Sequence, residues 1–363
     1  MIPVSEPDIG EREIEYVDDA VRSGWVSSHG KYIDMFENKF SEFIGTEYGL
    51  TVSNGTTALH LALSAIGIGE GDEVIVPDLT FISPVNAVLY CNAKPVLCDI
   101  DKSNWCMDAG KIEGLITPRT RAIIVVHLYG NSADMDQIMD IAKRHKLYVV
   151  EDTAESLGTT YKGKRLGSIG DIGCFSFYGN KTMTTGEGGF CTTNSKELHD
   201  RMSMLRDHGM TSQRRYWHEF IGYNYRMTNL QAALGYAQLE RIDYFIKRKQ
   251  EIGKIYRERL KNRATLHPEG NDYKGTYWLY SILLENKEDR DGLMDFLYSN
   301  GVDTRRFFHP VDSMPPYRKY GVDDYPVSWN IAGRGINLPS SVKLKNDEVN
   351  YVCGKIIEFL DSK

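Results

Sequence analysis

The sequence predicts an α/β protein, with a large domain on a mostly parallel mixed sheet and a small C-terminal α+β domain. Three observations lead there. Short β-branched runs alternate with amphipathic helical patterns, the order that strand-helix-strand units produce. The runs are apolar throughout rather than at every second residue, as strands covered on both faces are. Past residue 227 the texture changes to a long helical pattern and then to mixed elements, which places the large domain at 1–240 and the small one at 241–363.

In chain order, the first helix reads from "TTALHLALSAIG" (56–67), and strands follow at "DEVIVP" (72–77), "KPVLCDI" (94–100) and "RAIIVVHL" (121–128). The pattern "DMDQIMDIAKRHK" (134–146) is the next helix, ahead of strands at "LYVVED" (147–152), "IGCFSF" (172–177) and "GFCTTN" (189–194). From Met227 to Asn262 few turn signals interrupt the helical pattern, which predicts one helix linking the domains. The small domain then reads as "YWLYSILL" (277–284), a helix near "DRDGLMDFLYSNG" (289–301) and a closing helix after Asn346.

Composition removes several function classes. The chain has 363 residues and a net charge of −7, without the basic face that nucleic-acid binding needs. No stretch of about 18 apolar residues is present to span a bilayer, and "MIPVSEPDIGEREIE" lacks the apolar run of a signal peptide. The six cysteines include no C-x-x-C pair and read as buried thiols, the habit of a reducing cytoplasm. The nine histidines form no metal-binding spacing, so no metal is expected.

One lysine stands out, in "FYGNKTMTTGEGG" (177–189). A nucleotide-triphosphate loop ending at Lys181 would need glycine at 175 and 180, where Phe175 and Asn180 stand. "GIGEGD" (67–72) follows a helix and precedes a strand, the reverse of a dinucleotide fingerprint. A desolvated lysine is instead an amine nucleophile, and its generic use is a Schiff base with a carbonyl or with pyridoxal phosphate.

That cofactor asks for three more features. Its ring nitrogen needs a carboxylate, and Asp152 ends an apolar strand where ligands collect on a parallel sheet. Its phosphate needs N–H and hydroxyl donors, which the helix start "SNGTTALH" (53–60) offers with Gly55 and Thr56, and Ser176 adds another hydroxyl. Its ring face suits an aromatic, and Phe81 follows a strand end in "PDLTFISP". Singly, each has an ordinary alternative, a surface lysine, a loop cap or a helix cap; four in this order at strand ends are far more specific.

These stretches, with "GWVSSHGKY", "VHLYG", "EDTAES", "GYNYRMTN" and "INLPS", resemble the DegT/DnrJ/EryC1/StrS family of pyridoxal-phosphate-dependent nucleotide-sugar aminotransferases over essentially the whole chain. The resemblance implies the aspartate aminotransferase type I fold. It implies that Lys181 is the Schiff-base lysine, Asp152 the pyridinium partner, and Glu155 the group near the phenolic oxygen. Gly55, Thr56 and Ser176 would hold the phosphate, and Asn224 would reach the phosphate of a neighbouring subunit. The partners implied are L-glutamate, a nucleotide-linked 4-keto-6-deoxy sugar and a second copy of the chain in a homodimer with shared active sites, with pairing into tetramers left open.

Members with histidine in place of the lysine are sugar dehydratases; Lys181 is kept here, which implies transamination. The stretches "RRYWHEFIGYNYRMTN" and "FFHPVDSMPPY" are most similar to members acting at C4 of GDP-4-keto-6-deoxymannose, with C3 amination, a dTDP or UDP sugar, or a non-catalytic regulator as alternatives. Phe81, Tyr178 and Thr153 depart from the family pattern without disturbing the cofactor assignment. For substrate contacts the candidates are Trp25, Ser27, Arg214, Arg215, Trp217 and His309, each with packing or solvation as the competing explanation.

Overall fold

The apolar runs of the first half pair into one seven-stranded sheet in the computed structural model, which describes residues 1–211, 214, 216–321 and 324–363. Its strands are β1 (Tyr48–Val52), β2 (Glu73–Pro77), β3 (Lys94–Cys98), β4 (Thr120–Val126) and β5 (Tyr148–Asp152), then, past a small hairpin of β6 (Thr160–Tyr161) and β7 (Lys164–Arg165), β8 (Ile172–Ser176) and β9 (Gly189–Thr193). The order across the sheet is β1-β9-β8-β5-β4-β2-β3. From β8 to β3 every pairing is parallel, and β9 alone runs against its neighbours.

Both faces are covered, which is why the runs are apolar throughout. Val74, Val76, Ala122 and Ile124 pack on one side, against the helices Gly55–Ala65 and Ser83–Tyr90. Their neighbours Ile75, Ile123 and Val125 join the core on the other side with Trp105, Ile112 and Ile138. Because side chains alternate along a strand, a one-residue slip would exchange the two cores. The common strand direction brings the loops after β1, β2, β4, β5 and β8 to one edge of the sheet, where ligands of parallel sheets bind.

The C-terminal part forms a second sheet, antiparallel throughout, from β10 (Thr265–Leu266), β12 (Tyr280–Leu283), β13 (Arg305–Arg306) and β14 (Gly335–Leu338) in the order β10-β12-β14-β13. The short β11 (Tyr273–Lys274) leaves this region to pair with β6. Helices Ile242–Leu260, Lys287–Ser299 and Asn346–Asp361 bury Ile252, Leu293, Val352 and Ile356 beside the second sheet. The N-terminal segment packs beside it: Ile2 forms an isolated bridge with Val302, and Val4 accepts a hydrogen bond from the Ser340 N–H.

One expectation is corrected. The helical pattern of residues 227–262 is two helices, Asn229–Glu240 and Ile242–Leu260, separated at Arg241. Arg241 has φ −106° and ψ 4°, and its guanidinium is drawn to Asp8 and Glu13 of the N-terminal segment. Those ion pairs turn the chain where hydrophobic periodicity alone reads straight on.

The second of these helices carries a buried amine. Lys249 is 2 % exposed and donates to the carbonyls of Trp278 and Ser340, at 2.9 and 2.8 Å, with no carboxylate in its ion-pair range among the described residues. Burial pushes its pKa down to about 7. Between that value and the ordinary lysine range the unfolded chain binds a proton the folded one does not, so Lys249 makes stability rise with pH across this window. The stability margin of wild type over Lys249→Met is therefore expected to grow from pH 7 to pH 9, by up to about 1.4 kcal/mol per pH unit. Denaturant titration at both pH values measures this; an unchanging margin would mean that Lys249 titrates like a solvated lysine.

Candidate active site

At the carboxyl edge of the large sheet the loops enclose a cavity of about 520 Å³. Its floor begins where β1 gives way to the helix Gly55–Ala65. Asn54 caps this helix by accepting the Thr57 N–H at 2.9 Å, which leaves the first-turn N–H groups of Gly55 and Thr56 without intrahelical acceptors. A Cβ on residue 55 would lie 2.8 Å from the Ser176 Cβ, so only glycine lets the helix start sit against the end of β8. The Thr56 and Ser83 hydroxyls meet at 2.7 Å, and both residues line the cavity with Ser176. Orphan N–H groups, a positive helix end and three hydroxyls in one corner suit a phosphate.

Asp152 and Glu155 enter from the end of β5, 7 % and 5 % exposed. Asp152 accepts the Ala154 N–H at 3.0 Å. Burial raises its pKa, while that hydrogen bond and the charges of Lys181 and His127 oppose the shift. An anion held in so dry a place calls for a cationic partner. Glu155 accepts the Tyr129 N–H at 3.0 Å, and burial pushes its carboxyl up to about 7. Tyr129 itself is fully buried at φ 54°, an uncommon conformation, and its hydroxyl accepts the Phe308 N–H at 3.0 Å. One tyrosine thus ties the loop after β4 to Glu155 and to the segment after β13.

Lys181 reaches the same space from the loop after β8. Its Nζ lies 3.7 Å from Glu155 Oε1 and 3.7 Å from the ring centroid of Trp278. The Trp278 indole N–H donates to the Asn180 carbonyl at 2.7 Å, which fixes the ring beneath the residue next to the lysine. Burial lowers the Lys181 pKa, the carboxylates of Glu155 and Asp152 oppose it, and Arg305 adds to the lowering. With Glu155 shifted up and Lys181 down, the pair is driven toward a neutral acid beside a neutral amine, the form in which lysine is a nucleophile.

The structure brings together Gly55, Thr56, Phe81, Asp152, Glu155, Ser176 and Lys181 in this one cavity. Phe81 is half exposed at its mouth and packs on Phe308 at 5.7 Å. Six other candidates lie elsewhere. Asn224 is exposed and accepts from Arg226; Ser27 uses its carbonyl to hold the Asn229 N–H; Trp25 lines a separate cavity with His29, Tyr32 and Arg226. Arg214 stacks on Trp217, 4.1 Å from the ring centroid, and His309 faces outward. Arg215 lies outside the described residues.

Sequence reasoning missed Trp278, Asn180, Phe308 and Arg305, all in the cavity wall. Trp278 was legible only as the start of a strand, and the pairing of β12 begins after it, at Tyr280. Nothing local in the sequence says that its indole turns back to residue 180.

Comparison with known proteins places this geometry in context. The profile of the DegT/DnrJ/EryC1/StrS aminotransferase family matches residues 7–357. The chain is 50 % identical to the GDP-perosamine synthase of Escherichia coli O157:H7, over 100 % of this chain and 99 % of that protein. It is 44 % identical to the GDP-perosamine synthase of Vibrio cholerae, over 99 % and 100 %. Among solved structures, the PLP-form of Spr1654 from Streptococcus pneumoniae superposes with a TM-score of 0.95 at 29 % identity, covering 99 % of both chains. The chain therefore belongs to the DegT/DnrJ/EryC1/StrS aminotransferase family.

Proposed function

We propose that the protein is a pyridoxal-phosphate-dependent transaminase of the type I fold that moves an amino group from L-glutamate to C4 of GDP-4-keto-6-deoxymannose, forming GDP-perosamine for a surface O-antigen glycan. The observation that carries this reading is full-length identity of 44–50 % to proteins named GDP-perosamine synthase. The cavity supports it with one lysine, one ring-nitrogen acid and one phosphate corner, and this donor set fits the cofactor.

Gly55, Thr56 and Ser176 would hold the phosphate, Asp152 the ring nitrogen, Phe81 a ring face and Glu155 the phenolic oxygen. When bound, pyridoxal phosphate supplies an electron sink for the carbon that loses or gains the amine. The chain's own residues do the rest. Asp152, buried and in need of a cation, keeps the ring nitrogen protonated. Glu155, with its raised pKa, can donate a proton in a hydrogen bond to an oxygen. Lys181 Nζ, whose pKa burial lowers, takes the proton from the α-carbon of glutamate and returns one to C4 of the sugar. Trp278 and Glu155 limit how far that amine can swing, and the low exposure of the pocket floor keeps water from competing.

The chain works as a homodimer in a reducing cytoplasm, with the division of domains near residue 240. Asn224, outside its own cavity, serves the cofactor phosphate of the other protomer. Exposed Trp25, Trp217 and Ile221 supply the apolar surface that such pairing covers.

Asp152→Asn is expected to slow each half-reaction at least about 10²-fold, read in single turnovers with glutamate and with the keto sugar. Near-normal rates would remove Asp152 from the mechanism. For the overall reading, holoenzyme and L-glutamate are mixed with GDP-4-keto-6-deoxymannose, beside dTDP- and UDP-4-keto-6-deoxyglucose, and the products are weighed by mass spectrometry. Amination of the GDP sugar alone is expected; amination of a control sugar instead would overturn the sugar assignment and leave the transaminase.

A further inference from the structure

Two buried aspartates stand just past the ends of neighbouring strands, Asp78 after β2 and Asp99 after β3, and their surroundings differ. Asp99 accepts the N–H groups of Ile100, Val327 and Ser328, the Ser328 hydroxyl at 2.9 Å and the Lys111 amine at 2.9 Å. Burial raises its pKa, but these donors, Lys111 first, bring it below the ordinary value. The Asp78 carboxyl has the Asp312 N–H on Oδ1 at 3.0 Å, while Oδ2 is buried with no hydrogen-bond partner among the described residues. The Ser328 hydroxyl, carried by the helix Pro326–Arg334, lies by both acids, but its one proton goes to Asp99. The charges that act on Asp78 are those of Asp312 and Asp99, both negative, and the Lys111 ammonium is already bound to Asp99. A bare carboxylate oxygen is costly in such a place; a protonated one is not an uncompensated charge. Burial accordingly pushes Asp78 up to about 7, with the two acids adding to the rise and the Asp312 N–H opposing it.

Asp78 fastens a distant piece of chain. Its carbonyl accepts the Val311 N–H at 2.7 Å and its carboxyl the Asp312 N–H, so two successive amides of the 3-10 turn Val311–Ser313 depend on it. Phe308 lies three residues before that turn and Phe81 three residues after Asp78, and the two rings meet at 5.7 Å in the wall of the Lys181 cavity. We propose that Asp78 is a positioning residue for this wall: its protonated carboxyl pins the turn that follows Phe308, and ionisation releases it. Trp329 keeps the opposing charge in place, since its indole N–H donates to the Asp312 carboxylate at 3.1 Å. An acid whose pKa is raised by folding stabilises most at low pH, and that contribution fades as pH rises from the ordinary aspartate value to about 7. The turn therefore opens more readily toward neutral pH, by up to about tenfold per pH unit within that window, and levels off above it.

The test is hydrogen exchange of the full-length holoenzyme in steps from about pH 5 to pH 8, corrected for the intrinsic pH dependence of amide exchange. In wild type, exchange of peptides covering 308–320 is expected to rise at least about tenfold and to level off near neutral pH. Asp78→Asn keeps an acceptor for the Asp312 N–H but has nothing to ionise, so its exchange should stay within about twofold over the same range. Equal rises in both proteins, or none in wild type, would overturn the proposal. Asp312→Asn removes one negative neighbour and leaves the pin, so the rise should level off at lower pH; an unmoved curve would overturn the proposal, and this variant carries the test if Asp78→Asn does not fold. Resting on the transaminase reading, Asp78→Ala, which removes the carboxyl acceptor, is expected to raise KM for the keto sugar about 3- to 10-fold with kcat changed less, and Asp78→Asn to restore most of it. An unaltered KM in Asp78→Ala would make Asp78 a packing residue and overturn its positioning role. If wild type aminates no sugar, the transaminase reading falls, and the exchange experiment, which needs no substrate, still decides this one.

Discussion

The site depends on one desolvated amine. Water is removed from Lys181 by the indole of Trp278 and by the closing loops, and the two carboxylates that could hold it as a cation are themselves too dry to do so fully. A solvated lysine would be protonated and inert; a lysine in a tight, fully charged ion pair would be equally so. The balance requires Asp152 and Glu155 at their observed depth, which follows from their place at and just past the carboxyl end of β5. It also requires Trp278, which comes from the other side of the molecule and is fixed by its bond to the Asn180 carbonyl.

Lys181 shares its burial with a second lysine, Lys249. It is more deeply buried than Lys181, and its pKa is pushed down to about 7. Yet its amine is spent on two carbonyls. The two lysines meet through a single residue, since Lys249 holds the backbone of the same Trp278 whose ring lies against Lys181. The buried amine of the second region thus helps seat the aromatic wall of the active one.

Much of this was legible in the sequence, for physical reasons. Each strand expected in the large sheet is present to within about two residues, because strands buried on both faces leave unbroken apolar runs such as "RAIIVVHL". The cavity residues Gly55, Thr56, Asp152 and Ser176 were legible because each sits at an element terminus, and termini carry local chemical signatures; Lys181 lies in the loop just past β8. What stayed hidden depends on long-range contacts. The break at Arg241 comes from Asp8 and Glu13, more than two hundred residues away in the chain. Trp278 and Arg305 enter the cavity only because the second sheet folds back over the first. No spacing rule connects residue 305 to residue 181.

The central claim is that Lys181, and not another buried lysine, is the amine that bonds the cofactor. Borohydride reduction of the pyridoxal-phosphate-loaded protein, followed by peptide mass mapping, tests it directly by trapping the cofactor on whichever lysine holds it. The account expects the added mass on the peptide containing Lys181 and none on the peptide containing Lys249. Label on Lys249 or on a surface lysine, with Lys181 unmodified, would contradict it.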